Sequence, residues 1–245
     1  MRAIVFAGPS LPPDARPAVT DIAWRPPVRQ GDVHRAALSR PDAIGIIDGF
    51  FEVTPTVWHK EILWAMAQGI HVYGSASIGA LRAAELHTFG MKGVGRVYEL
   101  FRDGVLQDDD EVAVLHGPEA LGYVGLTEAM VNVRVTVEVA VRRGVVEAAT
   151  AADVISAAKS LFYKSRTYDA IMQALAKAGV TDVGRIGPWL SVDRVDQKRA
   201  DALAMIAQMR AELASAVAPF RPAYRFAHTI AWEESVRRSG EPPRP

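Results

Sequence analysis

The 245-residue chain has no cysteine, no surplus of either charge and no apolar run long enough to span a membrane. Without cysteine there is no disulfide, no thiolate nucleophile and no thiolate metal site, so any sulfur chemistry must use a partner's sulfur. Lys and Arg number 28 and Asp and Glu also 28, which leaves no net field to draw the protein to nucleic acid or an anionic membrane. No stretch nears the ~20 apolar residues that cross a bilayer, and the start, Met1 to Gly8, is too short and too quickly polar for a signal peptide. A cytoplasmic protein is expected. The six histidines show no HExxH or other ligand spacing, and no Walker motif occurs, so neither a metal nor another cofactor is expected. Hydrophobic residues nonetheless make up 49% of the chain, enough for one large domain or one domain plus a helical lobe.

Ala3 to Phe6 is a short apolar run stopped by Gly8-Pro9, and a second possible strand lies near Val19 to Trp24. Asp32 can cap a short helix through Leu38. Ala43 to Ile47 has the length of a buried strand and leads into the loop 48–53. Thr54-Pro55 then reads as the cap and first position of a helix running to about Gln68, where Gly69 ends it, and Ile70 to Tyr73 forms the next strand. Strand, helix, strand, helix in this order means parallel strands joined by right-handed crossovers. Beyond Glu85 the signals are mainly helical, with a short helix over Gly93 to Phe101 and an edge strand over Glu111 to Leu115. Valine at every second position from 131 to 141 is strand alternation, yet Thr127 as cap, Arg142 and Arg143 in a last turn and Gly144 as a stop favour a helix. Further helices fit 151–162, 168–178 and 196–217. The expected fold is α/β: a parallel-stranded sheet core with flanking helices over 1–125, a C-terminal helical lobe over 126–218, and a tail over 219–245 that is partly mobile.

The stretch Val72 to Ala84 carries the most chemistry. A buried strand turns there, through small residues, straight into a helix bearing Ser77, which is the layout of a nucleophile elbow. The free N–H groups of the following helix would face a developing oxyanion. The plainer reading is that Ser77 caps the helix. In a strand, helix, strand unit the helix N-terminus lies at the edge holding the strands' C-terminal ends, so Lys60 is expected at the edge that carries Ser77. Lys60 also lies on the flank of the stripe His59, Leu63, Met66, where desolvation and the helix N-terminus both disfavour the ammonium and leave some amine able to accept a serine proton. A lysine there can instead snorkel to solvent. His59 is a rival base, or a histidine that only holds the loop. Arg82 and Glu85, three apart, are expected to form an ion pair. The acidic run Asp108 to Glu111 reads as a solvated turn, and Gly93-Val94-Gly95 is only a fragment of a dinucleotide fingerprint.

Taken together, Gly8-Pro9-Ser10, Ile47-Asp48-Gly49-Phe50-Phe51, Trp58-His59-Lys60-Glu61-Ile62-Leu63, Ala76-Ser77-Ile78-Gly79-Ala80-Leu81-Arg82-Ala83-Ala84-Glu85-Leu86, Gly93-Val94-Gly95, Asp110-Glu111-Val112-Ala113-Val114, Asn132 with Arg134, and Arg166-Thr167 resemble the TfuA-like proteins over roughly residues 3–215. Ile78 stands where that family usually has methionine, a change that keeps the backbone N–H. The resemblance implies a partner of YcaO-type ATP-dependent enzymes, which replace a peptide amide oxygen with sulfur. It implies binding of a ThiS-like sulfur carrier protein, hydrolysis of its C-terminal thiocarboxylate by the Ser77 and Lys60 pair, and help in holding the peptide or protein substrate. Ile78, Gly49, His59, Asp48 and Arg82 would line that site, the N–H of Ile78 and that of Gly49 serving the oxyanion. Two other readings stand beside this one: a non-catalytic adaptor that recruits peptide or carrier to a YcaO enzyme, and an α/β domain binding a small molecule at the sheet edge.

Overall fold

A computed structural model describes residues 2–52, 54–180, 184–214 and 218–239. Five short strands, β1 (Ala3–Phe6), β2 (Ile22–Arg25), β3 (Ala43–Ile46), β4 (His71–Ser75) and β5 (Lys92–Val94), pair in parallel in the order β2-β1-β3-β4-β5. Parallel neighbours need crossovers, and α1 (Asp32–Leu38), α2 (His59–Ala67) and α3 (Ile78–Leu86) supply those into β3, β4 and β5. Every residue of β1 and β3 is buried, as a sheet covered on both faces requires. The short helix expected over 93–101 splits into β5 and α4 (Arg96–Arg102), because Gly93 sits in the sheet under the Tyr98 ring, which approaches within 2.1 Å of where a Cβ would stand.

The second compact unit, 108–199, is helical: α5 (Met130–Arg142), α6 (Ala148–Ser160), α7 (Tyr168–Lys177) and α8 (Ile186–Val192). Its core joins Met130, Val133, Val137 and Ala140 to Ala151, Val154, Ile171, Leu175 and Trp189. The alternating valines of α5 are therefore helical. Val131 and Val135 are buried too, so wide burial around this helix, not a pleat, explains the pattern. The edge strand expected over 111–115 does not form. A single turn, Asp109–Glu111, stands there; Asp108 and Asp109 are exposed as a solvated turn requires, but Asp110 is half-buried and Glu111 buried. Arg134 binds the buried Glu111 through two bonds of 2.9 Å, and the fully buried Arg166 reaches Asp110 at 2.7 Å and the carbonyls of Ala158 and Leu161. Lys159 Nζ contacts Asp108 and Glu111 at 3.0 Å each and also Asp110. Burial opposes ionisation of Asp110, but Lys159 and Arg166 outweigh it and hold this carboxyl below its ordinary range.

Contact divides the chain differently from sequence order, because the last part returns to the sheet: the first unit is 1–107 with 200–245. The helix α9 (Gln197–Leu213) lays Ala202, Met205, Ile206, Met209 and Leu213 over Ala3, Val5, Ala7, Tyr73, Ala76 and Val94. Beyond it, the expected tail holds a further helix, α10 (Ile230–Ser239). Its proline-rich end, 241–245, lies outside the described residues. No helix among the described residues is long and apolar enough to cross a membrane.

Candidate active site

The turn from β4 into α3 is strained. Ala76 adopts φ +65, and the Ser77 N–H donates to the Ser75 carbonyl two residues back at 2.7 Å, closing a tight γ-turn around a residue that is not glycine. The turn holds because α3 is wedged against the sheet. Gly79 donates to the Ile47 carbonyl at 3.3 Å, and a Cβ on Gly79 would lie 1.8 Å from the Ile46 carbonyl oxygen, so no other residue fits. Ser75 is excluded as nucleophile, since its buried hydroxyl is committed to the Val94 carbonyl at 2.8 Å.

Ser77 stands at the N-cap position of α3 yet makes no side-chain capping bond; its carbonyl, not its hydroxyl, takes the Ala80 and Leu81 N–H groups. The cap reading of Ser77 therefore loses its physical basis. Ser77 is 8% exposed. Among the described residues the N–H of Ile78, first in α3, makes no backbone hydrogen bond, as expected of a helix start. Gly49 comes alongside it: a Cβ there would sit 2.8 Å from Ile78 Cγ2. Around Gly49, the Asp48 carbonyl and the Phe50 N–H both bond Val28, and among the described residues the Gly49 N–H has no backbone partner. The backbone of Gly49 thus lies beside the start of α3.

Lys60 and His59 each bond a partner other than Ser77. The helix expected from Pro55 begins four residues later, at His59, because Glu61 folds back to the Trp58 N–H at 3.2 Å and starts the helix there, while Thr54 Oγ1 donates to the Pro55 carbonyl instead of capping. Glu61 also accepts from the His34 N–H at 3.3 Å; its complete burial outweighs these backbone bonds and pushes its carboxyl up. Lys60 Nζ donates to Thr229 Oγ1 at 2.9 Å and lies 5.5 Å from the centre of the Phe226 ring. His59 Nε2 contacts Glu85 at 2.8 Å. Glu85 is eight residues from Ser77 along α3, about 12 Å of helical rise. The expected pair of Arg82 and Glu85 is present at 2.6 Å, and Arg82 Nε also holds the Val57 carbonyl at 3.0 Å. Burial raises Glu85, but the His59 bond and the Arg82 charge overcome that and keep it below the usual carboxylate range.

Asp48 is fully engaged in structure. It takes the Gly8 and Ser10 N–H groups at 2.9 and 3.0 Å and the Ser10 hydroxyl at 2.6 Å. Strand order reverses between β1 and β3, where sheets of this kind place ligands, and Asp48 ties the two loops of that crevice together. The reading of a small-molecule site at the sheet edge has no support from it. In the helical unit, Lys159 occupies the centre of the cluster Asp108, Asp110, Glu111, the position a cation would take.

Residues 48–167 match the family model for TfuA-like protein. This segment belongs to the TfuA-like family. No curated protein matches the chain. The TfuA-like segment contains Asp48, Gly49, His59, Lys60, Ser77, Ile78 and Arg82, as well as the ion cluster of Glu111, Arg134 and Arg166. It ends before Phe226 and Thr229, the two groups that hold Lys60. Sequence reasoning missed both, although a threonine just ahead of a helix is a recognisable cap: Thr229 Oγ1 accepts the Trp232 N–H at 3.3 Å.

Proposed function

We propose that this chain hydrolyses the C-terminal thiocarboxylate of a ThiS-type carrier protein and so delivers sulfide to a YcaO-type enzyme that thioamidates a peptide. It would also help that enzyme hold its peptide. The TfuA-like match supports the setting, since that family is associated with YcaO thioamidation. The observation that carries the chemistry is Ser77: a serine on a strained turn, with a hydroxyl that does not cap its helix, beside the backbone donors of Ile78 and Gly49.

Ser77 Oγ attacks the thiocarboxylate carbon as its proton passes to the Lys60 amine, and the anion that forms takes hydrogen bonds from the Ile78 and Gly49 N–H groups. The C–S bond then breaks, and sulfide leaves with the proton returned by Lys60. Water, deprotonated by the same amine, cleaves the acyl ester, which frees the carrier as a carboxylate and restores the serine. Each oxyanion donor is worth roughly 100-fold or more in rate. Sulfide release from a thiocarboxylated carrier tests the reading. Ser77→Ala is expected to fall to the uncatalysed level with the fold intact, and unchanged release would end the proposal.

One observation favours the adaptor reading, namely that Lys60 is bonded to Thr229 and not to Ser77. An adaptor predicts that Ser77→Ala and Lys60→Ala leave both sulfide release and peptide thioamidation at wild-type levels.

A further inference from the structure

We propose that residues 218–238 form a releasable strap that sequesters Lys60, so that the unassisted chain is held in a restrained state. This rests on the Ser77 and Lys60 reading above. The strap leaves from the β4 end of the sheet, where His71 Nε2 donates to the Ala218 carbonyl at 3.0 Å and the Phe220 N–H donates to the Gly69 carbonyl at 2.9 Å. Burial along it alternates with a period of two. Phe220, Pro222, Tyr224 and Phe226 are half-buried, while Arg221, Ala223 and Arg225 between them are exposed. The Phe220 ring fills the space above Gly90, where a Cβ would lie 2.4 Å from it, and the Tyr224 hydroxyl donates to the Leu63 carbonyl at 2.7 Å. The strap thus runs along α2 from its end toward its start, and there Thr229 and Phe226 receive Lys60.

The ring contact suits an ammonium better than a free amine, because its attraction acts on the cation. The Thr229 oxygen accepts an N–H from either form and so holds Lys60 Nζ in place. A general base must instead turn a lone pair to the Ser77 hydroxyl, whereas Lys60 Nζ is engaged by Thr229. Thr229 is also the cap of α10, whose positive end repels the same ammonium, so the contact is a weak lock. The anchoring of the strap is light as well. Of its described side chains only Trp232 and Ser235 are buried. Trp232 packs against Trp64, Trp58, Phe226 and His34. A segment whose anchors are one large buried side chain, four half-buried ones and a few exposed or part-buried hydrogen bonds is less firmly held than the sheet, whose strands β1 and β3 are buried throughout. Its opening frees Lys60 without disturbing the sheet or the Ser77 turn.

The test uses the full chain with Thr229→Val, Phe226→Leu and Trp232→Ala, read in two ways. The first is the rate of amine acetylation at Lys60 relative to the other lysines, which needs no assumption about catalysis. The second is sulfide release from a thiocarboxylated carrier. Each variant is expected to raise Lys60 labelling by about threefold to tenfold, the shift that one lost hydrogen bond gives a two-state equilibrium. Sulfide release should rise in parallel, and adding Lys60→Ala should cancel that gain. Unchanged labelling in all three variants overturns the strap. Raised labelling with equal or lower sulfide release, while Ser77→Ala and Lys60→Ala in the otherwise unaltered chain are inactive, also overturns it, since Thr229 then positions Lys60 for work. If those two single variants retain full release, the Ser77 and Lys60 mechanism fails and takes the strap's regulatory role with it.

Discussion

The proposed chemistry turns on a backbone angle at Ala76 and a missing side chain at Gly79. Ala76 holds φ +65, which an L-residue adopts at a cost of about 1 kcal/mol, and the wedge of α3 against β3 offsets that cost. Gly79→Ala drives a methyl into the Ile46 carbonyl and is expected to destabilise the fold by about 3 kcal/mol, read as a fall in the denaturant midpoint. Sulfide release should be lost even at temperatures where this variant stays folded, because the Ser77 turn moves with α3. Gly49→Ala should weaken sulfide release by roughly 100-fold with the rest of the sheet intact, as its Cβ displaces Ile78 and the donor pair with it. Ser77 and its small neighbours were legible in the sequence, because a strand running through small residues into a helix has few other meanings. The committed hydroxyl of Ser75 was not, for it depends on Val94 in a strand that is distant in sequence.

At the scale of elements, the start of α2 decides which basic groups stand where. Its first turn is set by Glu61, not by Thr54-Pro55, so a buried carboxylate reaching back prevails over a good local cap signal. The contact of α2 with α3 is ionic, and it titrates. Glu85 has a folded value below its ordinary 4.5, so the stability it adds is present above that pH and is lost as pH falls through the lowered value. Urea midpoints of the wild type and Glu85→Gln should therefore differ at neutral pH and draw together as pH falls through the lowered folded value. A difference that stays constant across the acid range in which the wild type remains folded would remove Glu85 from the account. Glu61 slopes the other way: its carboxyl is raised, so its contribution is full below 4.5 and fades as pH rises through the folded value. The Arg82 and Glu85 pair was readable from its spacing of three on a helix; the attachment of His59 to it was not, because that bond joins two helices.

Over the whole molecule, each compact unit rests on a different kind of interior. The sheet unit is closed by α9, and the helical unit by α5 to α8 with the ion cluster at its start. Arg166→Ala removes a fully buried guanidinium and leaves Asp110 facing one cation fewer. It is expected to cost about 3 to 5 kcal/mol, seen as an early unfolding transition in the 108–199 unit by limited proteolysis. From the acidic run alone this cluster reads as a solvated turn, since its three basic partners lie 23 to 56 residues away in the chain.

What the sequence by itself determined is the material that local physics controls. The parallel order of buried strands and helices follows from apolar runs between glycine and proline stops, and the Ser77 turn follows from its small residues. The helical nature of α5 follows from its C-terminal signals, Arg142, Arg143 and Gly144, despite its valines; the expected Thr127 cap does not form, because Ala129 stands at the N-cap and Thr127 Oγ1 accepts the Leu115 N–H at 2.8 Å. What only the tertiary structure decided is where distant groups meet: Lys60 on Thr229, Asp48 on Ser10, α9 on the sheet and Lys159 among the acids. Those contacts join segments far apart in the chain, 169 residues for Lys60 and Thr229 and more for α9 on β1, and no pattern in a linear window encodes a partner that only packing brings together.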